Sequence, residues 1–168
     1  MNNDVIAQIG WQHSFEGDSV LQFGYIKGFK EGADVMLENA LQHGTQDLLV
    51  FPIVFCYRQY IELVLKNILR QSFDKNKYLE IVKCCRHNLV NLLQYVKHTQ
   101  LYNEKINDSY GIMDKIVTYL NALDTRADSY RFPYNFNGYS INKGISINLS
   151  QLQTTMNMFD ETVFQTYN

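Results

Sequence analysis

Three charged side chains recur one helical turn apart inside an otherwise apolar run: Arg58, Glu62 and Lys66 lie within Phe51-Pro52-Ile53-Val54-Phe55-Cys56-Tyr57-Arg58-Gln59-Tyr60-Ile61-Glu62-Leu63-Val64-Leu65-Lys66. On a helix they form a ladder of alternating sign along one face. Charges on a nearly all-apolar helix cost several kcal/mol each to desolvate unless they are paired. The ridge is therefore either a satisfied structural network or the wall of a polar pocket. In a pocket, the cations would hold phosphate oxygens and Glu62 would orient them.

Arg86 and His87 stand at the start of a second apolar-periodic stretch. The free N–H groups of a helix start favour anions, so an arginine beside a histidine there could hold a phosphate. The histidine can equally be a cap bonded to a neighbouring backbone or carboxylate group. Arg131, in Arg131-Phe132-Pro133-Tyr134, is either stacked on aromatic rings at the surface or reaches back over the helices toward the ridge. Cys84 and Cys85 with His87 invite a zinc reading, but metal sites use spaced ligands and no second ligand pair exists, so no metal or cofactor is expected. There is no Gly-rich phosphate loop, no Gly-x-Ser-x-Gly and no His-Glu-x-x-His.

Helices must position these residues. Tyr25 to Leu41 repeats apolar residues at a period of 3.6 and is followed by Gly44, a C-terminal cap. Asp47 is placed to cap a second helix running to about Gln71, with Pro52 in its first turns, and its apolar residues cover most of the circumference. Such a helix belongs in the middle of a bundle. Phe73 to Cys85 reads as a basic connection. Leu89, Leu92, Leu93 and Val96 give a third helix starting near His87; Asn107 or Asp108 caps a fourth that stops near Asp124. Ser129 to Asn148, with Asn137-Gly138, predicts an extended excursion or short hairpin, and Ser150 caps a last helix.

With 168 residues the chain is the size of one domain and can build its own core. An apolar fraction of 46% with 2 prolines and 9 glycines excludes disordered, collagen-like and low-complexity classes. Twelve tyrosines imply many half-buried rings whose hydroxyls reach water or a partner, a composition that suits subunit contacts. The net charge of −2 gives no general reason to expect nucleic acid, yet residues 66–87 alone carry +4. No signal peptide and no long uninterrupted apolar run is present, and an odd number of cysteines, with adjacent Cys84 and Cys85 able to pair only in a strained ring, fits a reducing compartment, so a cytoplasmic location and no membrane partner are expected.

The run from Asp47 to Lys66 resembles the long central helix of HEPN-type domains, small helical domains of prokaryotic toxin, defence and nucleotide-associated systems. Tyr57-Arg58-x-x-Ile61-Glu62-Leu63-x-Leu65-Lys66, followed some twenty residues later by His87-Asn88-Leu89-x-x-Leu92, carries the resemblance. Arg131-Phe132-Pro133-Tyr134 with Gly138 is similar to a segment before the last helix of some members. The resemblance spans roughly Tyr25 to Phe164 and implies homodimerisation, RNA- or nucleotide-related biology, and a protein partner such as a nucleotidyltransferase or antitoxin. HEPN ribonucleases share an arginine followed by four to six residues and then a histidine. Here none of Arg58, Arg70, Arg86, Arg126 and Arg131 has a histidine at that spacing.

The expectation is one all-α domain over residues 1–168, an up-and-down bundle of about five helices with a short extended or hairpin insertion before the last. Its expected function is that of a catalytically degenerate HEPN-like module of a bacterial defence or toxin–antitoxin type system, binding RNA, nucleotide or a protein partner through Arg58, Glu62, Lys66, Arg86, His87 and Arg131. Two rivals stand beside it. One is a metal-independent ribonuclease in which Arg58 and His87 are brought together as a non-standard catalytic pair. The other is an oligomeric scaffold in which the ridge is only a salt-bridge network.

Overall fold

A computed structural model describes residues 18–106, 108, 111–124, 130–131, 133–134, 137 and 144–164, with the side chains of 18–23, 105 and 164 left out. Seven helices follow one another among the described residues: α1 (Asp18–His43), α2 (Gln46–Ser72), α3 (Lys75–Cys85), α4 (Leu89–Lys97), α5 (Gln100–Lys105), α6 (Ile112–Leu123) and α7 (Leu149–Phe164). They pack up and down as an all-α bundle, with no strand among the described residues.

The central position expected for α2 is observed. Ile53, Val54, Tyr57, Ile61, Leu65 and Leu69 are fully buried, and the helix packs against α1, α3, α4 and α5. The partner face of α1 is supplied by Ile26, Ala33, Leu37 and Ala40, spaced seven, four and three residues apart, with half-buried Phe29 in the longest gap. Gly44 joins the two helices at φ +67°, a left-handed turn that glycine adopts without steric penalty. A polar seam also ties α1, α2 and α7. The hydroxyl of buried Tyr57 donates to Asp34, Lys30 bridges Asp34 and Asn157, and the hydroxyl of Tyr60 donates to Asp160. The tyrosines expected to need a hydroxyl partner therefore have carboxylates, and burial followed by those carboxylates pushes both phenol pKa values upward.

Several local expectations are corrected. The segment expected as a basic connection is α3, started by the Asp74 carboxylate, which accepts from the Asn76 and Lys77 amides. A further short helix, α5, precedes α6, so the described residues hold seven helices where about five were expected. Thr45, not Asp47, is the N-cap of α2, which places Pro52 in the second turn, where its missing N–H costs a bond to the Leu48 carbonyl. That turn faces solvent, with Leu48 and Phe51 exposed. Asn148 rather than Ser150 caps α7, accepting from the Gln151 amide. Asp108 does serve α6, accepting from Ile112 and Met113. The hairpin expected around Asn137-Gly138 lies largely outside the described residues. α2 is long and apolar enough to cross a membrane, but half of its apolar window is buried in the bundle, as befits a core helix.

Candidate functional site

The ridge on α2 closes into a network of four side chains. Arg58, 1% exposed, donates from Nη1 to Glu62 Oε2 at 3.0 Å. Its Nε donates to the Asp124 carbonyl at 2.9 Å, and its Nη2 to the His87 carbonyl at 2.5 Å. One guanidinium thus fixes the C-terminal end of α6 and the turn between α3 and α4 against the central helix. The Asp124 carboxylate, also buried, lies 4.0 Å from Nε.

Glu62, 3% exposed, is the hub. Its Oε2 takes Arg58, and its Oε1 takes both Lys66 Nζ at 2.6 Å and His87 Nδ1 at 2.9 Å. Burial pushes the Glu62 carboxyl upward, but the hydrogen bonds and charges of Lys66 and His87 outweigh it and hold the group below its ordinary value. The carboxylate is the form these donors require. With Nδ1 committed to Glu62, the other ring nitrogen of His87 has no protein partner among the described residues, and the side chain is 54% exposed. The site therefore has a closed interior, Arg58 and Glu62, and an open rim at His87.

The rim is built on an unusual turn. The Asn88 amide bonds to the Cys85 carbonyl at 2.9 Å, so Cys85 to Asn88 is a hydrogen-bonded β-turn. Arg86 occupies its first central position at φ 52°, ψ −105°, close to the type II′ geometry that glycine favours. It is the one non-glycine residue with positive φ among the described residues. Such a conformation costs about 1–3 kcal/mol and persists only where the surroundings enforce it. Here α3 ends immediately before it, Arg58 grips the next carbonyl, and Asn88 starts α4 by accepting from the Asn91 amide.

Of the six expected site residues, Arg58, Glu62, Lys66 and His87 meet in one network. Arg58 is corrected from a ligand contact to a frame, because it is sealed from solvent and spent on three protein acceptors. Arg86 is exposed beside His87 and joins no side chain of the network. Arg131 is exposed, with its guanidinium carbon 6.0 Å from the Phe55 ring centroid, which realises the aromatic-stacked alternative. His87 is not itself the cap of α4; Asn88 is. Asp124 was missed as a site residue, and as the carbonyl that it offers is a backbone atom, nothing in its identity announces the contact.

Among the described residues no group of three or more His, Cys, Asp and Glu side chains is placed to hold a metal ion, and Cys56, Cys84 and Cys85 are free thiols. The best-formed concavity, about 240 Å³ between α6 and α7, is lined by residues such as Ile116, Tyr119 and Leu152 and includes none of the network. The titratable chemistry sits at the turn, so the turn rather than that cleft is the candidate site. The chain matches no protein-family model, no curated protein and no solved structure.

Proposed function

We propose that this chain is a HEPN-like helical module that binds, without cleaving, a phosphate-bearing partner of the RNA or nucleotide type at the Cys85–Asn88 turn. One observation carries the reading: an arginine is held in a glycine-type conformation immediately before a histidine whose ring is anchored by a buried carboxylate. Backbone strain of this kind is retained where it aims side chains at a task. Arg86 and His87 are the exposed pair, Lys66 adds a second cation beside Arg86, on the carboxylate oxygen that His87 shares, and the start of α4 contributes a favourable helix dipole. The same reading extends to a cytoplasmic homodimer with a protein partner such as a nucleotidyltransferase or antitoxin.

Binding of a single-stranded RNA should be salt-dependent. Two or three phosphate contacts give a slope of roughly −1.4 to −2 in log K against log salt, or about a tenfold weakening from 50 to 200 mM. Titration of a labelled oligoribonucleotide at these two concentrations tests it. Absence of binding at the lower one rejects the reading.

The ribonuclease reading is favoured by one feature, the Glu62–His87 dyad, which orients an imidazole as a general base is oriented in hydrolases. Against it, Arg58 cannot reach a scissile phosphate from its buried position. Incubation with total RNA in EDTA tests it: cutting by the wild type that disappears in His87→Ala supports cleavage, and equal background from both rejects it.

A further inference from the structure

The dyad is arranged for more than holding an anion. His87 Nδ1 is fixed on Glu62 Oε1 at 2.9 Å, and its second ring nitrogen, Nε2, has no protein partner on a half-exposed side chain. Glu62 is itself locked by Arg58 and Lys66, so its Oε1 is a fixed acceptor that orients the ring, and turning the ring away costs the Nδ1–Oε1 hydrogen bond. An imidazole that donates Nδ1–H to a carboxylate keeps its lone pair on Nε2, which is the nucleophilic tautomer.

We infer that His87 Nε2 is a phosphoryl-acceptor site, taking a phosphoryl group from a small high-energy donor of the phosphoramidate or acyl-phosphate class. The inference rests on the turn being a phosphate site and adds a covalent step to it. The Nε2 lone pair forms the N–P bond as the donor's bond to phosphorus breaks. From phosphoramidate, bound as its ammonio zwitterion, ammonia departs with the electron pair. From an acyl phosphate, a carboxylate departs. Nδ1 retains its proton throughout, so the product ring is substituted on both nitrogens and carries a positive charge, which the Glu62 carboxylate opposite it neutralises. The negative charge spread over the phosphoryl oxygens during transfer is met by Arg86 on the turn and by Lys66 on the shared carboxylate.

The molecule contains its own controls. His43 and His98 are exposed. His43 has Nδ1 within 2.9 Å of a backbone carbonyl, the Asn39 oxygen, so it matches the ring anchoring of His87 without the carboxylate. His98 follows α4 with no side-chain hydrogen bond among the described residues. Neither carries the Glu62–Lys66–Arg86 surroundings.

The test is a competition within the wild-type protein. It is incubated with potassium phosphoramidate at neutral pH, quenched in alkali, digested, and phosphohistidine is quantified at each position over time by mass spectrometry. His87 is expected to be labelled at least about tenfold faster than His43 and His98, the gain of an oriented carboxylate and nearby cations. Arg86→Gly should slow His87 severalfold and leave the other two rates unchanged. Labelling of His87 no faster than His43 and His98 overturns the inference. If in that case His87 still responds to inorganic phosphate in a ring-proton titration, only the covalent step fails; loss of that response removes the phosphate site as well.

Discussion

Arg58 donates through Nη2 to the carbonyl of His87 at 2.5 Å while its Nη1 holds the carboxylate that anchors the His87 ring. Backbone and side chain of one exposed histidine are thus fixed by one buried guanidinium, directly and through Glu62. The stability of the bundle and the shape of the site are consequently the same interaction seen from two sides.

Removing one partner of that interaction should be costly. Arg58→Met leaves the buried Asp124 carbonyl, the part-buried His87 carbonyl and part of Glu62 unpaired, and Glu62→Leu removes the carboxylate that Arg58 and Lys66 share; each is expected to lose about 3–5 kcal/mol in urea unfolding. The double variant Arg58→Met with Glu62→Leu should lose clearly less than the two together, because it no longer buries an unpaired charge. Strict additivity of the two losses would contradict a coupled network.

Relief of the turn should act in the opposite direction. Arg86→Gly is expected to raise stability by about 1 kcal/mol, since glycine adopts φ near 52° freely, less its larger unfolded-state entropy. The same change should weaken RNA binding and reduce the salt slope by about 0.7, the share of one phosphate contact on a single strand. A urea midpoint that falls, or affinity that is unchanged, argues against strain held for ligand contact.

Acid sensitivity should carry the signature of Glu62. Its carboxyl titrates near 4.5 in the unfolded chain and lower in the fold, so the folded state binds fewer protons in that window. The resulting stabilisation is full above the unfolded value and is lost as pH falls through the lower folded one. Melting temperatures from pH 7 down to pH 3 should drop less steeply for Glu62→Gln than for the wild type. Parallel curves would show that Glu62 is not held as a carboxylate.

The legible and illegible parts of this protein differ for physical reasons. The ridge Arg58-Glu62-Lys66 could be read because a 3.6-residue period puts all three on one face of a helix whose other faces are apolar. Helix α3 was not, because its buried residues are only Ile81 and Cys85 and its lysines resemble a solvated connection; the Asp74 cap was the available signal. The six residues of α5 are too few for any period to emerge. The turn at Arg86 could not be foreseen at all, since nothing marks a II′ position that lacks its usual glycine. Arg58 meets His87 through a backbone carbonyl, and carbonyls leave no trace in residue type.

The central claim, a phosphate site at His87 framed by a buried carboxylate, is tested most directly by nuclear magnetic resonance of the histidine rings during titration with inorganic phosphate. The account predicts saturable shifts of the His87 ring signals with His43 and His98 unmoved, and loss of the shifts in Arg86→Gly. No response at His87, or an equal drift of the His43, His87 and His98 rings, would contradict it.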